Sequence, residues 1–297
     1  GPRLKSVDVD ESGTKAAAPP RTLGLMTGIL RDLTVTRDGR HIAVSESEWA
    51  LNLTLLPLKP DGSAPAGPEE VLSSGQVIDR FPTFSPDGQG IAFTSDRLGP
   101  MEIWILDLGT RQQHRLQLPG SDLGVNQAYW SPDGSRLLVT RSYPGGLNAV
   151  WLAAVDGSHA EEIIPPARGL DGGDFSPDGR HFLFRARKEG NLQLFAFDLT
   201  DRRQRQITSS PGDKFEGTWS PDGRFIVMTS NVGGKNQAWR IPAAGGEEVR
   251  LTPGDERFRH NFYSADGRWL YVQPSHRNVY RMPASGGPMQ AVTRFPE

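Results

Sequence analysis

Cysteine is absent from this 297-residue chain, so disulfides, cysteine-ligated metals and thiol catalysis are excluded. A strong net charge is absent too. Lys and Arg number 33 against 35 Asp and Glu, which gives no bulk attraction to nucleic acid or another polyanion. No apolar run approaches the ~20 residues that cross a bilayer, so no direct membrane insertion is expected. The N-terminus lacks the charged-then-apolar pattern of a signal peptide. No segment sustains an apolar 3.6-residue period. There is no G-x-S-x-G elbow, phosphate loop or dinucleotide fingerprint, so no catalytic residue and no cofactor is assigned. Asp8–Gly13 begins like a calcium loop, but the twelfth place, which needs a bidentate Glu, holds Pro19. That reading is rejected.

What the chain has in plenty is turn chemistry: 34 Gly and 24 Pro, above ordinary usage. Much of it recurs. W-S-P-D-G stands at Trp130–Gly134 and again at Trp219–Gly223, with F-S-P-D-G at Phe84–Gly88 and Phe175–Gly179. Weaker copies are Val35–Gly39 and Tyr263–Gly267. The six Asp-Gly pairs begin at Asp38, Asp87, Asp133, Asp178, Asp222 and Asp266, at intervals of 49, 46, 45, 44 and 44. After each motif comes a short alternating run such as Ile91–Ser95, then a Gly-bearing loop. A third run follows with an aromatic at a fixed place: Trp104, Trp151, Phe195, Trp239 or Tyr280. A fourth, short run ends in Thr. Short alternating runs bounded by Gly, Pro, Asn and Asp are antiparallel strands. Four strands in about 45 residues, six times over, predict an all-β, six-bladed β-propeller with four antiparallel strands per blade.

The unit P-x-F/W-S-P-D-G-x-x-I-x-F-x-S, then I-W-x-x-D, then L-T, resembles the WD-like repeat of TolB-type propellers, with Pro82–Ser95 and Ile103–Asp107 the closest match. The resemblance spans nearly the whole chain. It implies a protein-interaction platform, in the periplasm or otherwise outside the cytoplasm, or a sensor domain of a larger protein. The expected division is a flexible leader over 1–20 with Gly1-Pro2 a tag remnant, a propeller over 21–293 and a tail over 294–297. The blades fall at 29–73, 74–117, 118–165, 166–209, 210–253 and 254–293. Either 21–25 or Gln290–Thr293 offers the strand that closes the ring. Lys59–Glu69 reads as an exposed loop.

Related carboxylates at every blade point to architecture. Asp accepts backbone hydrogen bonds in a tight turn, Gly supplies φ > 0, and Pro sets the preceding bend. Asp38, Asp87, Asp133, Asp178, Asp222 and Asp266 are therefore structural turns. The third-run aromatics are read as core between blades. An acid–base–Phe echo, at Asp79-Arg80-Phe81, Asp213-Lys214-Phe215 and Glu256-Arg257-Phe258, sits at the channel mouth. Of six histidines, His260 and His276 belong to one blade, but no third ligand stands with them, so no metal site is assigned.

Recognition is expected where the repeats differ, on the loops at the end opposite the Asp-Gly turns. The candidates there are Trp49, Arg80, Arg97, Tyr143, Arg187, Lys214, Arg257 and His260. Several are basic, which suits a protein or peptide partner and allows an anionic small ligand. Two alternatives are weighed against this non-enzymatic binding module. One is a metal-dependent lactonase or lyase propeller. The other is the gating propeller of a prolyl-oligopeptidase-type serine peptidase, whose hydrolase domain needs ~200 or more further residues.

Overall fold

The computed structural model describes residues 50–120, 124–254, 257–274 and 278–294, and, in the N-terminal part, the strands Arg3–Ser6, Arg21–Leu25, Ile29–Val35 and Ile42–Ser47. Five four-stranded antiparallel sheets follow one another along the chain. Their first strands are Asp79–Phe84, Val125–Trp130, Asp171–Phe175, Lys214–Trp219 and Phe258–Tyr263. These first strands touch each other in succession and surround a central channel.

The expected count of six four-stranded blades is corrected here to five. The first repeat forms two separate two-stranded ladders, Ile29–Val35 with Ile42–Ser47 and Thr54–Leu55 with Glu70–Val71. Its third strand is only two residues long because Pro57 and Pro60 follow it closely, and proline cannot donate to a ladder. The Lys59–Glu69 segment is not simply a free loop. Tyr271 Oη donates to Gly62 O at 3.1 Å and Arg281 Nη1 donates to Asp61 O at 2.6 Å. The first repeat therefore rests on the last blade, 209 and 220 positions away. The outer strand of that blade is Gln290–Ala291, while Arg21–Leu25 pairs with Arg3–Ser6.

The core lies between blades. The second strand alternates, so Leu137 and Val139 join Ala92, Ile103 and Ile105 of the preceding blade, while Leu138 joins Phe175, Phe182 and Phe184 of the next. Period-two alternation thus cements both faces of each sheet. The third-run aromatics pack against these clusters but remain partly exposed.

The Ser-Pro-Asp-Gly turns share one geometry. In all five described copies the Ser hydroxyl donates to the Asp carboxylate at 2.5–2.6 Å. The same carboxylate oxygen accepts the amide two residues on at 3.0 Å. The Gly has φ of 67–71°, the left-handed region it adopts without penalty. Each proline ring also sits over the turn glycine of the following blade: Pro86 over Gly134, Pro132 over Gly179, Pro177 over Gly223 and Pro221 over Gly267. The motif therefore locks its own turn and spaces its neighbour. Asp133, chiefly through the Ser131 hydroxyl, is held down to about 2. Asp133→Ala should lower unfolding free energy by about 1–2 kcal/mol, the loss of a charge-assisted hydrogen-bond set, measurable by urea denaturation. Asp38 lies outside the described residues.

Candidate functional site

The charged residues expected at the rim divide into two groups. Arg97 is spent inside the fold: Nη2 lies 3.0 Å from both oxygens of the buried Asp79, and the guanidinium stacks 4.5 Å from the centre of the Trp104 ring. Lys214 is fully buried, its Nζ donating to the carbonyls of Ser210, Pro211 and Gly212 at 3.0–3.1 Å. A buried ammonium needs such partners, and here they fix the connection entering the blade. Tyr143 donates to Glu162 at 3.0 Å, and Arg187 donates to Gly190 O at 2.8 Å. Arg257 is exposed, Arg80 is half-buried with its guanidinium 4.9 Å from the Phe81 ring centre, and Trp49 lies outside the described residues. The acid–base–Phe echo is not one structural position, since Asp79, Lys214 and Phe258 share a rung of the first strand.

A different set of residues converges in the channel. Every first strand carries a β-bulge near its start, at Arg80/Thr83, Val125/Gln127, Gly172/Phe175, Phe215/Thr218 and Phe258/His260. A bulge breaks pairing and re-aims side chains. Four residues before each motif Ser it presents Phe81, Gln127, Gly172, Glu216 or His260. Phe81 and Glu216 take φ of 54° and 48°, an uncommon backbone that costs a non-glycine residue about 1–3 kcal/mol. Four of the five bulged strands border a cavity of about 130 Å³, lined among others by Phe81, Gln127, Tyr129, Asp171, Arg185 and Glu216.

Within this cavity Arg185 Nη2 bonds Asp171 Oδ2 at 2.8 Å, and its guanidinium lies 5.7 Å from the Phe215 ring centre. His260 Nδ1 sits 2.7 Å from Glu216 Oε2. Burial, opposed by Arg185, raises the Asp171 carboxyl. Burial, then the charges of Asp171 and Glu216, pushes the Tyr129 phenol well up. Behind them, burial pushes Asp174 to about 7, although its Oδ2 accepts the Trp219 amide at 3.0 Å. All three residues keep some solvent-accessible surface. Among the described residues no group of three or more His, Asp or Glu side chains converges as a metal set.

The model of the TolB beta propeller domain matches residues 129–294, more than half of the chain. The chain belongs to the TolB β-propeller domain family. Among curated relatives, a Protein TolB homolog of Chlorobium luteolum is 31% identical over 163 residues, covering 55% of this chain and 36% of the relative. The uncharacterized peptidase YuxL of Bacillus subtilis is 26% identical over 203 residues, covering 66% of this chain but 28% of YuxL. The chain thus spans about a third of the length of these relatives. Among solved structures, TolB from Acinetobacter baumannii superposes with a TM-score of 0.65 at 21% identity, over 75% of this chain and 56% of that one. That likeness carries the propeller fold.

In this TolB-family propeller the channel residues Gln127, Tyr129, Asp171, Asp174, Arg185 and Glu216 escape a reading based on repeats. Two signals point to them. Asp171-Gly172-Gly173-Asp174 and Glu216-Gly217 put charge and glycine side by side inside strands, and glycine inside a strand marks a bulge or a close approach.

Proposed function

We propose that this chain is a non-enzymatic binding module whose protein or peptide partner engages the central channel from the loop-rich end, opposite the Ser-Pro-Asp-Gly turns. One observation carries the reading: the first strands of four successive blades, two of them with a strained residue at the bulge, bring unlike side chains to one cavity, while the turns at the other end stay alike. Membership of the TolB family supports an interaction role and an extracytoplasmic location. As part of the same proposal, the strands of the first repeat stand in for a sixth blade between the last and second repeats. The contacts of Asp61 and Gly62 with Arg281 and Tyr271 support this.

The test is capture of a partner from a lysate of the source organism on immobilised protein. Gln127→Trp fills the cavity from a solvent-facing position, and Arg187→Glu with Arg257→Glu inverts the rim. The expected outcome is that Gln127→Trp abolishes capture and the rim pair weakens it by less than about tenfold. Capture that survives Gln127→Trp places the partner elsewhere. The similarity to YuxL favours one second reading, the propeller of a peptidase. Selective hydrolysis of short peptides by a longer form of the protein, lost on Gln127→Trp, would support it.

A further inference from the structure

We propose that the channel cavity takes a small organic ammonium group, with Glu216 and Asp171 as its counter-charges and the rings of Phe81 and Tyr129 as its walls. The proposal rests on the channel being the binding site and adds the chemistry of what enters it. It has the opposite sign to the anionic ligand that a basic rim suggests.

Three features of the cavity point the same way. The first is its charge. Asp171 and Glu216 line the cavity beside Tyr129 with Arg185, and Arg185 is already committed to Asp171 and to the face of Phe215. An incoming anion would find two carboxylates, Arg185 already paired, and only the Arg80 guanidinium, which stacks 4.9 Å from the centre of the Phe81 ring. The second is an unmet bonding capacity. Asp171 Oδ1 is buried without a hydrogen-bond partner, although the Thr140 hydroxyl and the Gly172 amide stand close enough to the carboxyl to favour its charged form. Glu216 spends one oxygen on His260 and keeps 37% of its side chain exposed. A buried carboxylate oxygen without a donor is costly, and an ammonium carries three N–H donors. The third is the wall. Phe81 is 36% exposed and borders the cavity together with Tyr129, and aromatic faces attract cations most strongly where water is scarce.

The size of the space selects among cations. About 130 Å³ exceeds what a bare ion fills, and a water occupies roughly 30 Å³. A bare divalent ion would also need several converging oxygen ligands, and among the described residues no three His, Cys, Asp or Glu side chains are so arranged. An ammonium on a short carbon chain meets both the carboxylates and the rings. The raised carboxyl of Asp171 and phenol of Tyr129, caused first by burial, agree with a site short of positive charge when empty.

The experiment is titration calorimetry with three probes of one size: n-butylammonium, n-butanol and butyrate. The protein is used as wild type, Glu216→Gln and Gln127→Trp, with far-UV circular dichroism as the check on folding. The expected result is millimolar binding of n-butylammonium alone. Glu216→Gln should weaken it by about tenfold or more, and Gln127→Trp should remove it by filling the space with every charge kept. Three results overturn the proposal: butyrate binding as tightly as n-butylammonium, no probe binding at all, or binding that both folded variants retain. Partner capture that Gln127→Trp abolishes, together with silence from all three probes, would sink the ammonium assignment and leave the binding module standing.

Discussion

Asp174→Asn should stabilise the protein relative to wild type at pH 8, by about 2 kcal/mol more than at pH 5. Asp174 stands in the first strand Asp171–Phe175, and burial raises its carboxyl from the ordinary 3.8 to about 7. The unfolded chain gives up this proton near pH 4, whereas the folded chain holds it until about pH 7. Protons therefore bind the folded state more tightly. This group's contribution is most favourable below pH 4 and is lost as pH rises from about 4 to 7. The full shift corresponds to about 4 kcal/mol at 1.36 kcal/mol per unit. About 2 kcal/mol is the better expectation, because the stretch from pH 5 to 8 covers only part of that shift and Asp174 keeps some solvent-accessible surface, where water screens the charge. Asparagine can still accept the Trp219 amide that Asp174 Oδ2 accepts, and it does not titrate. Urea melts of both proteins at pH 5, 6, 7 and 8 give the difference directly. A gap that does not change with pH would show that Asp174 ionises normally in the folded protein.

Phe182→Ala should cost about 3–5 kcal/mol, the range for truncating a buried aromatic. Phe182 is 0% exposed. Its ring stacks on Phe197 with centroids 5.0 Å apart and meets Phe175 and Phe184 at 6.3 and 6.2 Å. Phe175 and Phe197 hold the first and third strands of the same blade, while Leu138, Val150 and Leu152 of the preceding blade complete the cluster. The cavity left by alanine thus opens a seam between two blades, and backbone pairing on either side limits its collapse. Phe84→Ala is the matched control. It occupies the place before Ser-Pro-Asp-Gly that Phe175 fills, but it is 56% exposed, and it should cost less than about 1 kcal/mol. Equal losses for the two variants would contradict the account of the core.

The blades were legible in the sequence because the information is local and repeated. A Ser-Pro-Asp-Gly turn closes its bonds within five residues, so the same letters recur wherever the same turn does. Alternation in Ile91–Ser95 or Phe225–Thr229 likewise reports a strand buried on both faces. The exception is the first repeat. Its Asp-Gly spacing fits the series, yet the prolines after Leu55 leave too little chain free for a full third strand. Spacing sees turns and does not see missing donors.

The channel was much less legible. A bulge is a relation between two strands, and Glu216 gives no sign of its left-handed backbone until its strand is paired with Phe225–Ser230. Burial misleads in the same way. Arg97 and Lys214 look like surface charges in a loop-rich sequence, but their partners are Asp79 and three backbone carbonyls. Sequence positions say nothing about those partners' distance. The other repeats do carry a clue: Asp79, Val125, Leu170 and Phe258 fill the rung that Lys214 occupies, and three apolar counterparts out of four mark it as interior.

In the proposed reading the turns are scaffold and the channel is the site. The measurement that tests this most directly sets Asp178→Ala beside Gln127→Trp, reading urea midpoint and partner retention for both. Asp178 belongs to a turn on the far end, its carboxyl held low chiefly by the Ser176 hydroxyl. The account predicts that Asp178→Ala loses about 1–2 kcal/mol and keeps its partner, whereas Gln127→Trp keeps its stability and releases the partner. The reverse pattern, a turn variant that stays stable but no longer binds, would contradict it.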